Sequence, residues 1–114
     1  MNSNLVLLFI LYTIVGHVLV WLQINGQLVW KSWQDLTGYL VLVGLPISYL
    51  FIKATVMGYE GFEMKLWPIR LNSFAIGIII FTIFTFFFLH EAPDMKSMIG
   101  LVLAFGIILV QVLL

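Results

Sequence analysis

No cysteine occurs among the 114 residues, which excludes a disulfide framework, a thiolate nucleophile and a thiolate metal site. Charge is nearly as scarce. Asp, Glu, Lys and Arg make up 9% of the chain, five acidic against five basic, so the formal net charge is zero. That balance offers no electrostatic basis for binding nucleic acid or a strongly anionic surface. The two histidines, His17 and His90, lie far apart, and no phosphate-binding glycine loop, Ser/His/Asp set or clustered metal ligands accompany them. Enzymatic chemistry, a resident metal and a cofactor are therefore not expected. The first residues, MNSNLVLLFILYTIVGHVLVWLQI, also lack the basic leader and cleavage site of a secretory signal, so the run reads as a retained first helix.

What remains is close to hydrocarbon. Hydrophobic residues make up 63% of the chain and the mean hydropathy is +1.17, a composition for a lipid bilayer rather than for water. Crossing a core of about 30 Å takes roughly 20 apolar residues. Polar punctuation divides the chain into four such runs, at about 5–24, 36–57, 69–89 and 97–114. The turn pair Asn25-Gly26 opens the first connection, and Trp30 and Trp33 suit the headgroup belt. Pro46 interrupts the second run, and GYEGFEMK ends it. Backbone groups in hydrocarbon must be satisfied within the segment, so helices are the default and a barrel's short alternating strands are absent. The expected fold is an all-α integral membrane protein, a single domain over residues 1–114 with four transmembrane helices, forming a dimeric bundle.

Four spans return the chain to its starting side. Lys53, Lys65 and Arg70 fall on the side of the termini and Lys31 and Lys96 on the other, which favours cytoplasmic termini by a narrow margin. The location implied is a bacterial-type inner membrane.

The last pair of runs, LHEAPDMKSMIGLVLAFGIILV, resembles the final helix pair of the drug/metabolite transporter superfamily. The four-span length is similar to that of its small multidrug resistance type and of four-span relatives of unassigned role. YTIVGH, residues 12–17, and ATVMGYEGF, residues 54–62, are similar to the first-helix and mid-loop segments of those relatives. The resemblance implies a homodimer held by the fourth helix and transport of a small solute. It also implies that Glu91, Pro93 and Asp94 form a tight turn, with Asp94 capping the fourth helix. Drug-exporting members carry a membrane-embedded Glu just before a glycine in the first helix. When Gly16 is set on that glycine, Thr13 stands where the acid would be, so proton-coupled cation export by that route is not implied.

Polar groups at membrane depth are costly, which makes them candidates. His17 is the clearest, with Thr13 one helical turn before it, Trp21 one turn after it and Gly16 beside it. This face is either the wall of a solute path or a site of helix–helix hydrogen bonding. Lys53, one turn after Tyr49, either snorkels to the interface or serves as an anion-binding cation with Ser48, Tyr49 and His17. Gly100, Ala104 and Gly106 offer a small-residue surface for a dimer contact or for packing within the monomer. Two function classes follow: a small-solute transporter, or a non-transporting scaffold or accessory subunit packed against larger membrane partners.

Overall fold

The computed structural model describes residues 2–113. These residues form α1 (Ser3–Val29), a 3-10 helix (Lys31–Leu36), α2 (Thr37–Leu42), α3 (Gly44–Gly61), α4 (Leu66–Leu89) and α5 (Met95–Leu113), and no strand occurs among them. Two helices, α1 and α4, are long and apolar enough to cross a membrane, and a third crossing results if the 3-10/α2 arm and α3 count as one bent span. The apolar segment of α5, Met95–Gln111, is shorter.

The side chain of Asn2 starts α1 by accepting from the amides of Asn4 (3.1 Å) and Leu5 (3.3 Å), which satisfies two donors that a helix start leaves open. The helix then continues through Asn25-Gly26, where the sequence suggested a turn, and ends at Val29. Close approach accounts for that glycine: a Cβ on Gly26 would fall 2.5 Å from the Trp33 ring. Trp33 in turn packs on Trp30, and Trp30 on Phe88 of α4.

The 3-10/α2 arm and α3 meet at a bend of 47°. Pro46 explains the position of the bend, since a proline ring clashes with the carbonyl four residues earlier and supplies no amide to it. That carbonyl belongs to Leu42, the last residue of α2. Gln23 of α1 supports the bent region by donating from Nε2 to the Leu40 carbonyl at 2.9 Å.

Both later connections are tight. After α3, the Phe62 amide bonds to the Gly58 carbonyl (2.8 Å) and the Met64 amide to the Tyr59 carbonyl (2.7 Å), while Glu63 and Met64 adopt left-handed φ values of 59° and 62°. After α4, His90 ends the helix at φ 56°. Asp94 then caps α5, its Oδ1 accepting from the Ser97 amide at 2.8 Å. That bond holds the Asp94 carboxyl below its usual range. The acidic stretch around Pro93 is thus a hinge between two helices.

The helices form a flattened array of 45 × 35 × 17 Å. α1 lies between α3 and α4, which touch each other only lightly, and among the described residues α5 packs on α4 alone. The closest packing joins α1 to α3, where Ala54, Gly58 and Gly61 are buried on one side of α3. Phe9, 1% exposed, fills the space: a Cβ on Gly58 would lie 2.8 Å from its Cδ1. Phe62 meets the same ring edge-on at 5.8 Å. Ala54 and Gly58 form a small-xxx-small pair, a spacing also present at Gly100 and Ala104. The latter pair divides in the structure. Ala104 is buried in the packing of α5 on α4, whereas a Cβ on Gly100 or Gly106 would meet open space.

Candidate functional site

His17 stands near the middle of α1 and faces α4, where its Nε2 lies 3.3 Å from Ser73 Oγ. Small residues on both sides make room for the ring. A Cβ on Gly77 would come within 2.7 Å of His17 Cε1, and one on Gly16 within 2.9 Å of the Phe51 ring. Phe51 meets the imidazole edge-on, with centroids 5.1 Å apart. The imidazole is thereby held between α1, α3 and α4.

Three clefts meet at this ring. One, about 500 Å³, is lined by His17, Phe51, Thr55, Ile69, Arg70 and Ser73, together with Leu66. A second, about 350 Å³, shares His17, Arg70 and Ser73 and continues along Phe74, Ile78 and Phe81. The third, about 300 Å³, lies toward the C-terminal half of α1 and is lined by His17, Trp21, Asn25, Gly77 and Phe81 among others. No carboxylate among the described residues lines any of the three.

The residues suggested by the sequence are divided among different environments. His17, Gly16 and Trp21 belong to this region, although Trp21 is anchored away from the imidazole: its Nε1–H donates to Thr85 Oγ1 at 3.1 Å. Thr13 is 0% exposed and lines none of the three clefts. Its Oγ1 is buried with no hydrogen-bond partner among the described residues. Tyr49 and Lys53 lie on the exposed side of α3, two residues, or about 200° of helical turn, from Phe51 and Thr55. Lys53 Nζ sits 5.9 Å from the centroid of the Tyr49 ring. The cation at the His17 clefts is Arg70 instead.

The sequence marks Arg70 only as a basic residue in the orientation count and does not mark Ser73. Their spacing carried a signal: they stand three apart at the start of α4 and so share a face. Nothing in the sequence paired that face with His17, because α1 and α4 are apolar all round. A separate cleft of about 270 Å³ lies between α4 and α5, with Thr82, Thr85, Glu91, Ser97 and Gly100 among its lining residues. No group of three or more metal-ligating side chains occurs among the described residues. Compared with known protein families, curated proteins and solved structures, the chain matches none.

Proposed function

We propose that the chain is a four-span membrane transporter of the drug/metabolite type, acting as a homodimer and moving a small solute past His17. The observation that carries this reading is the His17–Ser73 pair at the junction of three clefts between α1, α3 and α4. A hydrogen-bonding, titratable group is costly at membrane depth, and here it borders open grooves rather than a closed core. The fourth crossing would be α5, whose 19 residues reach roughly 28 Å as a helix, close to the thickness of a hydrocarbon core. Both termini then share a side, the cytoplasmic one by the balance of Lys and Arg. A second copy would complete the path, since the array of helices leaves its clefts open, and Gly106 on α5, with Gly100 at the open α4–α5 cleft, leaves room for that contact.

The scaffold reading draws on a different observation. No acid lines the clefts at His17, so a membrane-embedded carboxylate for proton exchange is missing there. Flux in proteoliposomes separates the two. A transporter that couples protons through His17 loses pH-dependent solute flux in His17→Gln while its fold and dimer persist. No flux of cations, anions or neutral amphiphiles by the unaltered chain would leave the scaffold reading standing.

A further inference from the structure

Arg70 stands at two adjoining clefts that it shares with His17 and Ser73. It is exposed, and it makes no hydrogen bond or ion pair among the described residues. A guanidinium presents a planar fork of donors that matches a phosphate group, and no carboxylate among the described residues of either cleft competes for it. Below it the second cleft becomes apolar, along Phe74, Ile78 and Phe81.

The dimensions suit a membrane lipid. From Arg70 to Phe81 the helix rises roughly 16 Å, about half of a ~30 Å hydrocarbon core and so the depth of one leaflet. Trp67, 76% exposed one turn before Arg70, suits the headgroup level at which such a molecule begins. We propose that these two clefts bind one anionic phospholipid, its phosphate on Arg70 above the His17–Ser73 pair and an acyl chain along Phe74, Ile78 and Phe81. This names a ligand class for the path proposed above and rests on that path lying in the membrane.

The test uses the full chain purified in dodecyl maltoside, with bound lipid read by native mass spectrometry after titration with dioleoyl phosphatidylglycerol or dioleoyl phosphatidylcholine. Phosphatidylglycerol should be retained in preference to phosphatidylcholine. Arg70→Gln should lower that retention about tenfold or more, Arg70→Lys less, and Lys53→Gln not at all, with circular dichroism confirming unchanged helix content. Equal retention in Arg70→Gln, or an equal loss in Lys53→Gln, overturns the site. Displacement of the lipid by inorganic phosphate overturns the acyl-chain part and leaves a bare anion site in its place. Retention is read without transport: a preserved lipid pattern with no solute flux removes the transporter and keeps the lipid site. Conversely, pH-dependent flux with equal retention in Arg70→Gln keeps the transporter and removes the lipid site.

Discussion

The indole of Trp21 donates to the hydroxyl of Thr85 across 3.1 Å, joining α1 to α4 through two buried side chains 64 positions apart. In a membrane setting such bonds are modest, averaging about 0.6 kcal/mol and reaching about 1.7 in measured cases. Trp21→Phe keeps an aromatic ring against Phe84 and Phe88 but removes the donor. It should therefore destabilise the chain by roughly 0.6–2 kcal/mol. Thr85→Val alone should do the same, and a double-mutant cycle in reversible detergent unfolding should return a positive coupling. Strictly additive losses would show that the bond contributes nothing beyond the packing.

Close approach between α1 and α3 depends on Gly58. Because a Cβ there would press on Phe9 at 2.8 Å, Gly58→Leu should separate the two helices and cost about 1–3 kcal/mol, the usual range for overpacking. Thermal loss of the monodisperse protein in size-exclusion chromatography would record it. Phe9→Leu in the same chain should recover part of the loss by vacating space; no recovery would place the clash elsewhere.

On α5 the small residues should behave differently from one another. Gly100→Leu with Gly106→Leu adds side chains at two sides of α5 where a Cβ would meet nothing beyond its own helix turn within 4 Å, so the monomer should fold as before while a dimer held by either side weakens. Ala104→Leu should instead loosen α5 from α4. Crosslinking yield in lipid and proteolysis of the 90–94 hinge give separate readouts of the two effects. A double glycine variant that destabilises the monomer would contradict the open surface described here.

Asp94 ties α5 to pH. Its carboxyl is held below the usual aspartate range by the Ser97 amide, so the folded group titrates at lower pH than the unfolded one. The stabilisation is therefore present above the unfolded value and disappears as pH falls through the depressed folded value. The Ser97 amide shift should follow this titration in an NMR experiment, with a midpoint below that of an unstructured aspartate. Asp94→Ala should abolish the pH dependence of the first turn of α5, and Asp94→Asn should preserve the cap without it. A midpoint at or above the unstructured value would refute the capping geometry.

The existence and type of the helices were legible because the length of an apolar run reports what a bilayer requires. His17 was legible for the same reason, as a lone imidazole in such a run. Its partner was not. Helices that are apolar on every side offer no preferred face, so Ser73 reads as a tolerated small residue and Arg70 as an interface charge until α1 and α4 are seen side by side. The pairs Ala54/Gly58 and Gly100/Ala104 have identical spacing, and the spacing cannot tell which pair packs within the monomer. Gln23 was overlooked because its purpose lies in another segment, at the bend that Pro46 makes.

A flattened array held together at few points divides the chain into two populations of positions. Most exposed positions on α3, α4 and α5 have little contact within the chain, so exchanges among Leu, Ile, Val and Phe there should be close to neutral in a saturation scan. Intolerance should concentrate where neighbouring helices meet: Phe9, Gly16, His17, Trp21, Ala54, Gly58 and Gly77, with Gln23 beside them. Divergence in such a chain would run fast and unevenly, erasing overall identity while sparing a thin set of contacts at helical spacing.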